Sequence, residues 1–96
     1  METKYYIDLH IKTPKGFETY GTFHLGDDRK KAEAIFCQLK GTDEVSGQSI
    51  LHMDLTETRN GISLPVKILH CTIDEIAVNS RIITRDIFKN LALEND

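Results

Sequence analysis

The first quarter of the chain alternates between apolar and polar side chains on both sides of a short turn sequence, "TPKG" at residues 13–16. Strict alternation predicts β-strands with one buried face. Pro14 presets the first turn position, and Gly16 tolerates a positive φ. The pattern therefore predicts a β-hairpin with a three-residue loop, in which Thr13 lies opposite Phe17. The apolar positions of one parity are Tyr5, Ile7, Leu9, Ile11, Phe17, Phe23 and Leu25.

This loop fixes a register in which the numbers of opposed residues add up to 30. On the polar face, the register places Lys12 opposite Glu18, a charge pair of the kind that stabilises antiparallel strands. The remaining polar pairs are Tyr6 with His24, Asp8 with Thr22, and His10 with Tyr20.

A second hairpin is predicted around Asn60 and Gly61, the pair that a two-residue type I′ turn prefers. Opposed residue numbers then add up to 121. This register turns Met53, Leu55, Val66, Ile68 and His70 toward the core, and it turns His52, Asp54 and Lys67 to the polar face. Pro65 cannot donate a hydrogen bond to a neighbouring strand, so the last strand is expected at an edge of the sheet.

A helix is predicted in "GDDRKKAEAIFCQLKG", residues 26–41, with Asp27 as its N-cap and Gly41 at its end. Ala32, Ile35, Phe36 and Leu39 follow helical spacing and form one core stripe, which leaves Cys37 at the flank. The polar stretch "TDEVSGQS" that follows is expected to be a mobile loop.

A second helix is predicted to begin at Thr72, which stands in capping-box spacing with Glu75. Its β-branched residues and the "NSR" sequence lower the local helix propensity, so the sequence leaves open whether the helix is continuous or breaks near Asn79 and Ser80. Its two apolar stripes are an inner one of Ile73, Ile76, Ala77, Ile83, Ile87 and Leu91, and an outer one of Val78, Ile82 and Leu93. The outer stripe is predicted to be an interface.

Together these elements predict an α+β fold with the order ββαββα in one domain, residues 1–96. We expect a four-stranded antiparallel sheet with two helices packed on one face. The other face of the sheet, here called the open face, stays without a helix.

Composition narrows the function. A formal net charge of −3 gives no broad positive field, so nucleic-acid binding is disfavoured. The four histidines could change this charge to +1 when all are protonated in mild acid. The first ten residues lack the apolar run of a signal peptide, no segment has the length and hydropathy of a membrane span, and the two cysteines form no CxxC pair. A cytoplasmic protein is expected.

The chemically versatile side chains gather on the open face. The predicted ligand-binding residues are Tyr6, Asp8, His10, Tyr20, His24, His52 and Asp54. His10 and His24 lie about 14 Å apart along the hairpin, too far to share one metal ion. No metal site or cofactor is therefore predicted. Cys71 lies diagonal to His52, which permits a pair, but a small apolar residue at a strand end is the favoured interpretation of this cysteine.

No nucleophile motif or phosphate-binding loop is found, so no catalytic residue is predicted. The favoured hypothesis is a non-catalytic domain that binds a protein partner or assembles with itself, most simply as a homodimer. The alternative is a small-ligand or metal site, or a Cys/His enzyme, on the open face. Nucleic-acid binding through the same face ranks third.

Overall fold

The computed structural model describes the backbone of residues 3–42 and 50–94, and the side chains of these ranges as far as residue 89. The elements are β1 (Thr3–Thr13), β2 (Gly16–Gly26), α1 (Arg29–Phe36), β3 (Leu51–Arg59), β4 (Ile62–His70) and α2 (Ile73–Glu94). This order and the single open sheet confirm the predicted fold class. The predicted mobile loop falls almost entirely on residues 43–49, which lie outside the described residues.

The sheet has the strand order β2-β1-β3-β4, and all neighbouring strands are antiparallel. The two hairpins therefore join through their first strands, with Ile7 opposite Leu55 and His10 opposite His52. The sequence did not predict this strand order. It did predict that β4, which contains Pro65, lies at an edge, and this is confirmed.

The core lies between the sheet and the two helices. It contains the predicted stripe of α1 together with inward residues of β1 and β3. Its buried members are Tyr5, Ile7, Ala32, Ile35, Phe36, Leu39, Met53, Leu55, Cys71 and Ile83. The cap of α1 is Asp28 and not Asp27, because the Asp28 carboxylate accepts hydrogen bonds from the backbone N–H groups of Lys30 and Lys31.

The helix α2 is continuous, so the break near Asn79 and Ser80 that the sequence permitted does not occur. Its capping box is confirmed, since Glu75 N–H donates to Thr72 Oγ1 and Thr72 N–H donates to the Glu75 carboxylate. Asn79 is fully buried and is hydrogen-bonded to the backbone of Lys40. This polar side chain can occupy the inner face of α2 because the backbone of Lys40, in the chain after α1, supplies its hydrogen-bond partners.

The inner face of α2 is centred on Asn79 and Ile83. Ile83 is fully buried, and Ile82, predicted for the outer stripe, packs partly against the core. Ile73, predicted as inner, is 72% exposed, and Ala77 is exposed as well. Val78 is exposed as predicted, whereas the side chains of Leu91 and Leu93 lie outside the described residues.

The first hairpin departs from its predicted register near the turn. Its loop has two residues, so Thr13 pairs with Gly16 and Lys12 pairs with Phe17 rather than with Glu18. A bulge at Tyr20 then restores the predicted pairing between Leu9 and Tyr6, so that Tyr6 lies opposite His24. A further register shift at Leu25 pairs Tyr5 with Gly26 and not with Leu25 as predicted. Phe17 consequently faces the open side, and not the core as predicted.

The second hairpin has the predicted two-residue turn, with positive φ at Asn60 and Gly61. The predicted pairing holds only up to Pro65, because a bulge at Val66 shifts the rest of β4 by one residue. Leu55 therefore pairs with Lys67 instead of Val66. The same shift places Ile68 opposite Asp54 and His70 opposite His52. Ile68 and His70, both predicted to face the core, belong to the open face.

Candidate functional site on the open face

The bulges at Tyr20 and Val66 bring the rings of three histidines and one phenylalanine together at one end of the open face. His10, His52 and His70 stand side by side on β1, β3 and β4, and we call these three residues the histidine row. The ring centroids are 4.8 Å apart for His10 and His52, and 5.6 Å apart for His52 and His70. The ring of Phe17 meets His52 edge to face at 4.6 Å. Bulges often re-aim side chains next to functional sites.

Asp54 lies beside the histidine row, and its carboxylate contacts two of the three rings. One carboxylate oxygen of Asp54 lies 2.5 Å from Nδ1 of His52, and the other lies 3.5 Å from Nε2 of His10. Nδ1 of His10 in turn lies 3.0 Å from the hydroxyl of Thr19. Asp54 is only 9% exposed although it lies on the open face, because the neighbouring rings cover it. Its carboxylate is thus largely removed from water but not left without partners.

Asp8 lies directly opposite Asp54 on the neighbouring strand. Like charges in this position destabilise a sheet unless other groups compensate for them. The carboxylate of Asp8 accepts hydrogen bonds from the hydroxyls of Thr22, at 2.8 Å, and Thr56, at 3.1 Å. The polar centre of the open face is therefore satisfied by its own side chains.

Apolar side chains flank this polar centre. Phe17 is 49% exposed and lies on the edge strand β2, whereas Ile68 is 44% exposed and lies on the edge strand β4 opposite Asp54. A sheet face that contacts only solvent ordinarily carries charged or small polar side chains at such positions. Exposed apolar groups around a satisfied polar centre are typical of a contact surface.

The other predicted ligand-binding residues do not join this cluster. Tyr6 and His24 form an edge-to-face pair, with centroids 4.9 Å apart, farther along the open face. Tyr20 occupies the bulge of β2, and its hydroxyl lies 3.4 Å from the carboxylate of Glu18. The predicted set thus divides into three places, of which only the one with Asp8, His10, His52 and Asp54 is a dense cluster.

Phe17, His70 and Ile68 belong to the site, and the sequence did not predict them. The alternation rule assigned all three to the core because it has no term for a bulge. The sequence "VKIL", residues 66–69, does contain a signal. Val66 and Leu69 both pack against the core but are three residues apart, so strict alternation cannot turn both inward without one extra residue.

His52 and Asp54 form a hydrogen-bonded pair of an imidazole and a carboxylate. Because Asp54 accepts from Nδ1 of His52, the unprotonated nitrogen of the neutral ring is Nε2. No serine or cysteine of the described residues lies within hydrogen-bond distance of that ring. Within residues 3–42 and 50–94, no group of three or more His, Cys, Asp or Glu residues is arranged to hold a metal ion.

The pairing of Cys71 with His52 that the sequence permitted does not occur. Cys71 is buried on the helix side of the sheet, and its thiol lies 3.5 Å from the carbonyl oxygens of Lys40 and Leu69. Burial raises the pKa of Cys71 to about 11, and the carboxylate of Glu75 adds to this rise. A thiol of this kind is a poor nucleophile at neutral pH.

The two cysteines should therefore react very differently. At pH 8, about one Cys71 thiol in a thousand is ionised when the pKa is near 11, so a disulfide reagent such as DTNB should modify one thiol per native chain quickly. That thiol is Cys37, which is exposed. The second should react only after unfolding. A Cys37→Ser variant that still shows a fast thiol would contradict this account of Cys71.

Comparison of the chain with models of protein families, with curated proteins and with solved structures finds no match. Among the described elements, no helix is long and apolar enough to cross a membrane. The function has to be inferred from the open face itself.

Proposed function

We propose that this protein is a non-catalytic interaction domain that binds protein through the open face of its sheet, with a second copy of the chain as its first partner. The observation that carries the proposal is the combination of exposed Phe17 and Ile68 with a polar centre that is already hydrogen-bonded.

The polar centre supports this proposal through desolvation. Burying a carboxylate that loses its water partners is costly. Asp54 and Thr56 are only 9% and 8% exposed before any partner arrives, and both are hydrogen-bonded within the sheet. A partner that covers this centre therefore removes little further water from them. The favourable free energy of binding comes from burying the apolar side chains around this centre.

The edges of the sheet are poorer candidates. On the edge strand β4, Pro65, the bulge at Val66 and Lys67 follow one another, and each of these features discourages pairing with another strand. At its end, His70 already exchanges two backbone hydrogen bonds with Thr42, of 2.7 and 2.9 Å. The other edge strand, β2, carries the bulge at Tyr20. Association through the face is favoured over association through an edge.

The size of the open face agrees with a modest interface. Four strands of about nine residues span about 19 by 30 Å at ordinary strand spacings. Covering this face on two copies would bury about 1,100 Å², which is near the lower end for specific complexes. We therefore expect a dissociation constant in the micromolar range.

The test is a comparison of dimerisation between two variants that each remove one exposed apolar side chain. Phe17→Thr changes the open face, whereas Ile62→Thr changes a residue that is 63% exposed and pairs with Arg59 on the helix side of the sheet. By sedimentation equilibrium, Phe17→Thr should raise the dissociation constant at least about tenfold, a loss of about 1.4 kcal/mol. Ile62→Thr should leave it within about twofold.

Two results would contradict the proposal. One is a wild-type chain that stays monomeric at hundreds of micromolar and binds no protein in an extract of its source. The other is a dimer, or a captured partner, that Phe17→Thr and Ile62→Thr weaken equally. If the partner is a different protein, the open face remains the proposed binding surface only if Phe17→Thr abolishes binding of that protein and Ile62→Thr does not.

A further inference from the structure

We infer that protonation of the histidine row releases the partner from the open face, so that association is strong near pH 7.5 and weak near pH 5.5. This inference rests on the proposed function, because it concerns the control of the same contact surface. It is carried by three imidazole rings that stand side by side, of which two contact one carboxylate.

The described charged and titratable groups at this end of the open face come from three strands. They are Asp8, His10 and Lys12 on β1, His52 and Asp54 on β3, and His70 on β4. The titratable side chain that β2 gives to the open face is His24, which is paired with Tyr6 farther along. Both helices pack on the opposite side of the sheet.

The carboxylate of Asp54 can balance the charge of one protonated histidine in the row, but not the charge of three. Its two carboxylate oxygens face His52 and His10, so a single imidazolium there gains an ion pair. A second or third imidazolium would lie one ring away, at centroid distances of 4.8 and 5.6 Å. Asp8 is the second negative charge at this end, but its two oxygens already accept hydrogen bonds from threonines, and two carboxylates do not balance three imidazolium groups.

His70 makes full protonation of the histidine row still less favourable. Its Nδ1 is buried and has no hydrogen-bond partner among the described residues. A neutral imidazole can leave this nitrogen as an unprotonated acceptor, whereas the imidazolium must place an N–H there. A buried N–H without an acceptor is destabilising, and the ring is driven to turn outward toward water. An outward, charged His70 would stand beside Ile68 in the contact surface.

The sign of the effect follows from proton counting. The bound state needs neutral rings beneath the partner, so it binds fewer protons than the free state in this range. Binding then weakens as the pH falls. Histidines are the side chains that ordinarily change charge between pH 5 and 8, while aspartates and glutamates ordinarily stay ionised there.

The test measures the dimer dissociation constant at pH 7.5, 6.5 and 5.5 at constant ionic strength, for wild type and three variants. Wild type should weaken at least tenfold between pH 7.5 and 5.5. His70→Gln and His10→Gln, which each remove one charge from the row, should weaken less than threefold. His24→Gln removes a histidine that also lies on the open face but outside the row, so it should keep a larger pH effect than either row variant. Circular dichroism at each pH checks that the chains remain folded.

The outcomes separate this inference from the proposed function. A wild-type dimer that is equally tight at both pH values overturns only the proton control. A pH effect that is unchanged in both row variants, or abolished by His24→Gln, also overturns it. Absence of a dimer at pH 7.5 overturns the homodimer, and with it the control of that homodimer.

Discussion

Replacing Asn79 with alanine is expected to lower the free energy of unfolding by about 2–4 kcal/mol, because two hydrogen bonds to Lys40 are lost. The backbone N–H of Lys40 then stays unpaired, and its carbonyl keeps only the weak contact with the thiol of Cys71. Asn79 Oδ1 accepts from the N–H of Lys40 at 2.7 Å, and its Nδ2 donates to the carbonyl of Lys40 at 2.8 Å. The side chain is fully buried, so water cannot readily replace it. Urea-induced unfolding followed by circular dichroism measures the change.

The matched control is Val78→Ala, the preceding residue on the same helix. Val78 is 43% exposed, so its truncation should change the free energy of unfolding by less than about 0.5–1 kcal/mol. An Asn79→Ala variant that is as stable as Val78→Ala would show that the tie between α2 and Lys40 contributes nothing.

Replacing Gly41 with alanine is expected to cost about 2–3 kcal/mol, since the new methyl group has no space and the backbone conformation is unfavourable for alanine. A Cβ at this position would lie 2.7 Å from the carbonyl oxygen of His70 and 2.7 Å from Cγ of Leu69. The φ of Gly41 is +154°. The backbone of His70 cannot move away without breaking its two hydrogen bonds to Thr42.

Gly21→Ala is the control for this substitution. A Cβ on Gly21, in the middle of β2, would meet no atom within 4 Å, so the variant should be at least as stable as wild type. Thermal unfolding of the two variants, together with the histidine ring signals in NMR spectra, measures both effects. Equal stability of the two variants, with His70 signals unchanged in Gly41→Ala, would contradict the predicted clash.

Local chemistry made much of the fold predictable. Asn60 and Gly61 determine the second turn through their positive φ, and Thr72 with Glu75 determine the start of α2. The stripe of α1 was predicted correctly for Ala32, Ile35 and Phe36, because helical spacing leaves one apolar face. These features depend on residues that are neighbours in sequence. The helix was predicted to run to Gly41 but ends at Phe36, so Leu39 reaches the core from the chain after α1.

Asn79 shows why other features could not be predicted. By propensity, this residue weakens a helix and suggested a break. Its actual role depends on Lys40, which is distant in sequence and satisfies the buried amide. No pattern within α2 contains that information.

The site was predicted only in part for a similar reason. His10, His52, Asp8 and Asp54 were placed on the open face correctly, because β1 and β3 pair with each other without a register shift. Phe17 and His70 were assigned to the wrong face, because a bulge on their own strand, at Tyr20 or at Val66, reverses the side of every residue beyond it. The cross-strand meeting of His10 and His52 also required the strand order, which alternation does not determine.

The most direct test of the open face as the binding surface is a dilution series of the isotopically labelled chain at pH 7.5, followed by NMR of backbone amides and side-chain rings. We predict that the signals of Phe17, His52 and Ile68 shift with concentration, while those of Ile73 and Val78 on α2 stay constant. Shifts confined to Ile73 and Val78, or none up to millimolar concentration, would contradict self-association through the open face.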